Sequence, residues 1–237
     1  MTNEPPGLGA ASVLPVARPQ PRVQVALDVT SIEEATRLAT AALDAGADQL
    51  EIGKPFIEFV GLHGAASIIA RFPGVRFELD LMIMAAAAGF VEAAADMGAH
   101  GVTVTALVPW VTIEDAVRRG QDLGVRVCVD LFNVSDPVAT ARMAEGTGAG
   151  AVMVHVGVDQ RRHDPHYSQL DELRQVAGFL SIPVAYATYD VDEAVAAVAA
   201  GASEIVQGTP LIEADDPRAS LAAFIARVKG RDAGPAT

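Results

Sequence analysis

The feature that most limits how this chain can fold is a repeated alternation between short apolar runs and longer helical stretches, which begins at Arg22 and persists to Lys229. The short runs lie at residues 23–28, 48–53, 75–81, 101–105, 125–131, 149–156, 183–187 and 204–207. Most are apolar on both faces, as parallel strands covered by helices must be. The stretches between them read as helices ending near Asp44, over 57–71, 85–97 and 112–123, opening at Asp136-Pro137, and over 168–179, 191–199 and 217–228. Ser31, three residues before Glu34, is a helix-start signal, as is the Asp136-Pro137 pair. Glycines 46, 98, 124, 148 and 201 stand where each helix must stop and turn back into a strand. About eight strand–helix units in roughly 210 residues predict an α/β fold of the closed (β/α)8 barrel type. The rival is an open doubly wound sheet, which would carry a glycine-rich phosphate turn after its first strand; Asp28-Val-Thr is not one.

The barrel is expected over residues 22–230, with a Pro-rich leader at 1–21 and a flexible tail at 231–237. The leader holds five prolines and no periodicity. The N-terminus lacks the basic start and apolar middle of a signal peptide, and no apolar run is long enough to span a bilayer, so a soluble cytoplasmic protein is expected. A formal net charge of −13 argues against nucleic acid or an anionic membrane as a partner. The single cysteine, Cys128, lies in an apolar run and reads as a small core residue.

In a (β/α)8 barrel the chemistry sits at the C-terminal ends of the strands. Those ends are Asp28, Glu51, Asp80, Thr105, Asp130, His155, Thr188 and Gln207, expected to converge on one mouth. A strand-terminal aspartate such as Asp28 or Asp130 often only caps the next helix. Glu51 and Asp80, however, end neighbouring strands, and two carboxylates in one small site share a proton or hold a hard divalent ion, for which Mg2+ is the expectation. His155 is a structural histidine or a proton carrier. Lys54, just past strand two, either lends the mouth a positive charge or is an exposed loop lysine. Arg161, Arg162, His163 and His166 follow strand six and either grip a carboxylate or form a solvated loop. The apolar segment 107–110 after strand four suggests an apolar portion of the substrate or a dimer contact.

Val-Ala-Leu-Asp28, Glu51-Ile-Gly-Lys-Pro, Asp80-Leu, Val-Asp130-Leu, Val-His155-Val-Gly-Val-Asp-Gln and Val-Gln207-Gly-Thr-Pro-Leu-Ile together resemble the orotidine-5′-phosphate decarboxylase superfamily. The branch they resemble is that of 3-hexulose-6-phosphate synthase and 3-keto-L-gulonate-6-phosphate decarboxylase. The resemblance implies a homodimer, Mg2+ held by Glu51 and Asp80, a stabilised enediolate, and active-site roles for Asp28 and His155. The chain departs from the pattern at Met82, where that branch has a lysine, and at Ala85, where it has a second aspartate. Thr188-Tyr189 replaces a phosphate-binding glycine pair, and Gly208-Thr209 the phosphate turn after strand eight. A Mg2+-dependent, aldolase-type carbon–carbon lyase acting on a small molecule without the usual phosphate is expected. There Asp80, Asp28 and His155 do the chemistry, and Lys54, Thr105, Asp130, Thr188, Gln207 and Arg161 meet the substrate. The alternatives are a decarboxylase or isomerase of the same branch, or a catalytically inactive barrel serving as a binding or scaffolding subunit.

Overall fold

The computed structural model describes residues 20–231, so nearly all of the expected leader and tail lie outside the described residues. Eight parallel strands pair in sequence order, and the last closes on the first. They are β1 (Arg22–Leu27), β2 (Gln49–Ile52), β3 (Phe77–Ile83), β4 (Gly101–Thr105), β5 (Arg126–Asp130), β6 (Ala151–His155), β7 (Val184–Ala187) and β8 (Glu204–Gln207). Around them run α1 (Ile32–Asp44), α2 (Lys54–Val60), α3 (Leu62–Arg71), α4 (Ala87–Asp96), α5 (Trp110–Leu123), α6 (Pro137–Thr147), α7 (Val158–His163), α8 (Leu170–Ala177), α9 (Val191–Ala200) and α10 (Pro217–Val228). This is the expected (β/α)8 barrel. Among the described residues no helix is long and apolar enough to cross a membrane.

The local signals act as their chemistry requires. Ser31 Oγ accepts the Glu34 N–H at 3.2 Å, and Asp136 Oδ1 accepts that of Ala139 at 2.9 Å. The helix expected over 57–71 is instead two helices, broken at Gly61, whose φ of 85° takes the backbone out of the helical region. α7 replaces part of the loop expected after strand six. It is six residues long and buries none of them, so it leaves no apolar stripe for a sequence reading to find.

Alternate residues of each strand face opposite sides of the barrel wall. Val25, Leu27, Leu50, Ile52, Leu79, Val102, Val104, Val129, Val154, Tyr186 and Ile205 belong to the large cluster between wall and helices. The inner face is small or polar: Ala26, Cys128, Ala151, Met153, Ala185, Ala187 and Val206 form a minor cluster. Below the mouth, Arg126 reaches across the barrel to Glu78 at 2.5 Å and Glu204 at 2.6 Å, and Arg22 also pairs with Glu204. The wall is irregular at one place. Leu79 pairs with Val102 and Ile83 with Val104, so β3 carries two residues more than β4 over the same span. Met82 there has a φ of 42°, and the regular alternation expected to place Asp80 and Met82 on one face is interrupted.

Candidate active site

The barrel brings six of the eight strand-end side chains to one mouth: Asp28, Glu51, Asp80, Thr105, Asp130 and His155 all follow the inner-face alternation. Asp28, at the end of β1, is packed between the turns after β2 and β8. A methyl group on Gly53 would overlap its Oδ1, and one on Gly208 would come within 3.2 Å of Oδ2. Burial raises its pKa, as does the charge of Asp80, and His155 pulls the other way; the result is about 6.

Glu51 is buried and accepts a hydrogen bond from Gln24 Nε2. Burial first, then the charges of Asp80, Asp28 and Glu78, drive its pKa well up, and only the Gln24 bond opposes them. Asp80 is raised by burial. The 2.7 Å hydrogen bond from Thr103 opposes this, Asp130 adds to it, and His155 and Lys54 lower it. Three carboxylates therefore share a pocket that disfavours their charge.

Opposite them, His155 Nδ1 lies 2.8 Å from Asp130 Oδ2, while Asp130 Oδ1 accepts the Phe132 N–H at 2.7 Å. The Phe132 ring is tilted against the imidazole at 5.3 Å. Burial disfavours the imidazolium, but the charge and hydrogen bond of Asp130, with Asp80 and Asp28 behind, outweigh it and raise His155 to about 9. Because Nδ1 is engaged by Asp130, Nε2 is the nitrogen left to meet a ligand. Thr105 Oγ1 accepts the Leu107 N–H at 3.3 Å. Lys54 opens α2, and its half-exposed ammonium pairs with Glu58 at 2.9 Å.

Thr188, Gln207 and Arg161 are placed otherwise than expected. Tyr186 and Ile205 face the helices, so two residues further on Thr188 and Gln207 have the same outward parity, away from the mouth. Thr188 Oγ1 donates to Glu193 on α9, and Gln207 Nε2 donates to the Thr209 carbonyl at 2.9 Å. Arg161 also pairs with Glu193, which accepts the Tyr186 hydroxyl at 2.9 Å as well. One buried carboxylate thus gathers the hydroxyls of β7 and the guanidinium of α7.

The profile of the Orotidine 5′-phosphate decarboxylase / HUMPS family matches residues 21–224. The chain belongs to this family. It is 31% identical over 211 residues to 3-hexulose-6-phosphate synthase 3 of Staphylococcus saprophyticus, covering 88% of this chain and 99% of that one. It is 27% identical to the bifunctional enzyme Fae/Hps of Methanothrix thermoacetophila; the match covers 88% of this chain but spans only 53% of that longer protein. A crystal structure of 3-hexulose-6-phosphate synthase superposes with a TM-score of 0.80 at 29% identity, covering 87% of this chain and 99% of that chain.

In this member of the family, no three His, Cys, Asp or Glu side chains among the described residues form a metal-binding cluster. Glu51 and Asp80 are two carboxylates that could hold a cation, with pKa values raised by burial and, for Glu51, by the charge of Asp80. That set fits magnesium, which binds through one or two carboxylates and leaves its other positions to water and substrate oxygens. Three residues at the site escape a reading of strand ends alone. Gln24 and Thr103 sit one layer lower on the inner face and hold Glu51 and Asp80. Tyr189, two residues past β7, is pushed up to about 12 by burial and by the charges of Asp28, Glu51 and Asp80. The parity of β1 and β4 is the signal that could have found the first two.

Proposed function

We propose that the chain is a Mg2+-dependent carbon–carbon lyase of the aldolase type, acting on a hydroxylated carbonyl compound that carries no terminal phosphate. The observation that carries this reading is the pairing of a His155–Asp130 dyad with three crowded carboxylates in one mouth, Glu51 buried and Asp28 and Asp80 partly so, while Thr188 and Arg161 are both consumed by Glu193. Glu51 and Asp80 would hold the ion, which when bound supplies positive charge to a carbonyl oxygen.

Asp28, with a pKa of about 6, is ionised at neutral pH and accepts the proton of the hydroxyl whose carbon becomes the aldehyde. The electrons of the broken carbon–carbon bond pass to the carbonyl-bearing fragment. His155, still protonated at neutral pH, returns a proton to that fragment from Nε2. Tyr189 takes up room beside the acids. Met82 offers no ammonium, so the proton returned to that carbon comes from His155. Relatives named 3-hexulose-6-phosphate synthase support the aldolase-type reading.

Two chains pairing as a homodimer complete the proposal. This reading is supported by Phe59, Met84, Phe90, Leu107 and Val111, exposed apolar side chains carried by three consecutive units. Of the 107–110 segment Leu107 and Pro109 are exposed, whereas Val108 and Trp110 pack on the core and Trp110 Nε1 donates to Thr147 at 3.1 Å.

Calorimetric titration tests the metal: Mg2+ should bind the native chain and not Asp80→Ala, and absence of binding to the native chain would remove the ion from the mechanism. Aldehyde release from unphosphorylated ketoses should exceed that from hexulose 6-phosphate or 3-keto-L-gulonate 6-phosphate. Appreciable turnover of either phosphate ester would overturn the phosphate-free assignment.

A further inference from the structure

Beneath the two carboxylates assigned to the ion lie two short hydrogen-bond chains, each running in one direction. On the β1–β2 side Gln24 stands opposite Gln49 and Ala26 opposite Glu51, so one amide lies between a second amide and the carboxylate above. Gln49 Nε2 donates to Gln24 Oε1, and Gln24 Nε2 donates to Glu51 Oε2. The first bond settles the second. With its carbonyl already facing a donor, the Gln24 amide can present only its N–H to Glu51.

On the β3–β4 side Thr103 Oγ1 accepts the Met82 N–H at 2.8 Å and donates to Asp80 Oδ1 at 2.7 Å. A hydroxyl has one proton. With the Met82 N–H on one of its lone pairs, that proton goes to the carboxylate, which can only accept. The Met82 N–H is aimed at Thr103 within the irregular stretch of β3, where Met82 holds a φ of 42°. For a residue other than glycine such a conformation persists only where its surroundings hold it.

Each carboxylate is therefore tethered through one oxygen by a donor whose own direction is fixed elsewhere in the wall. Glu51 Oε1 and Asp80 Oδ2 accept no hydrogen bond from the protein among the described residues. We infer that Gln24, oriented by Gln49, and Thr103, oriented by the Met82 N–H, are positioning residues that pre-set Glu51 and Asp80 as a pair of cation ligands, each open at one oxygen. This rests on the cation reading given above. The groups are buried amides and a buried hydroxyl, which a purely structural role would also satisfy, so the test must read the site and not only the fold.

The experiment is calorimetric titration of the full chain with Mg2+, repeated with Mn2+ and followed by the electron paramagnetic resonance of the bound ion, on the native protein and on Gln24→Met, Gln49→Met, Thr103→Val and Thr103→Ser. Groups that orient metal ligands typically carry 10–100-fold of the affinity. Gln24→Met and Thr103→Val should each weaken both ions by about 10–100-fold and alter the Mn2+ spectrum. Thr103→Ser, which keeps the hydroxyl, should retain native affinity. Gln49→Met touches neither carboxylate and should produce a smaller loss in the same direction, and it carries the test if either stronger variant fails to fold. Native affinity in the variants, with only their melting temperatures lowered, would overturn the positioning role while leaving the metal site intact. A native chain that binds neither ion would overturn the cation reading and this inference together.

Discussion

At the residue scale one acid and one base of the mouth are displaced in the same direction. Asp28 is raised from 3.8 to about 6 and His155 from 6.5 to about 9. In both, the folded state binds its proton more tightly than the unfolded chain does, so both slopes have the same sign. The Asp28 contribution is fully present below its unfolded value of 3.8 and is lost as pH rises through about 6; that of His155 is fully present below 6.5 and is lost as pH rises through about 9. Urea midpoints of the metal-free chain should therefore fall between mildly acidic and alkaline pH, and a midpoint that rises over that interval would contradict the assignment. The same reasoning makes Asp28→Asn a trade of activity for stability. At neutral pH it should stabilise the metal-free fold by on the order of 1–3 kcal/mol while turnover collapses. A destabilised Asp28→Asn variant would show that the carboxylate is held by partners other than those described.

At the scale of elements, which strand residue faces inward decides which side chains meet. Strand ends were legible from the sequence because each apolar run carries a polar residue at or next to its end, and for β1 to β6 that residue has inner parity. β7 and β8 differ: their apolar runs end on inward Ala187 and outward Gln207, so Thr188 and Gln207 turn toward the helices. Counting parity from Tyr186 and Ile205 would have revealed this. The start of β5 escaped for another reason, since Arg126 opens an apolar run and looks like a strand flank. Within the barrel it meets two carboxylates from distant strands. Glu204, bonded by both Arg126 and Arg22, has a lowered pKa in spite of burial, whereas burial outweighs Arg126 at Glu78, whose Oε1 has no partner among the described residues. Removing one member of a buried ion pair leaves an uncompensated charge, and Arg126→Met should cost about 3–5 kcal/mol in chemical denaturation. A loss well below this range would mean that the two glutamates take up protons without penalty.

At the scale of the whole molecule, the exposed Phe59, Met84 and Leu107 belong to the consecutive units that also carry Glu51, Asp80 and Thr105 to the mouth. Sedimentation should show the native chain as a dimer and Phe59→Asp/Leu107→Asp as a folded monomer; a native monomer at working concentration would remove the dimer from the proposal. The alternation of strand and helix, the glycines at the helix ends and the inward run of acids from Asp28 to Asp130 were all determined by the sequence alone. They arise from local periodicity and from interactions within a few residues, which any short window of chain displays. The tertiary structure alone decided that Glu193 takes Thr188 and Arg161, that Arg126 bridges Glu78 and Glu204, and that Gln24 and Thr103 grip Glu51 and Asp80. Apart from Thr188 and Glu193, which are five residues apart, those contacts join residues distant in the chain that meet only through barrel closure and the register between neighbouring units, and neither is written in the order of residues along any one element.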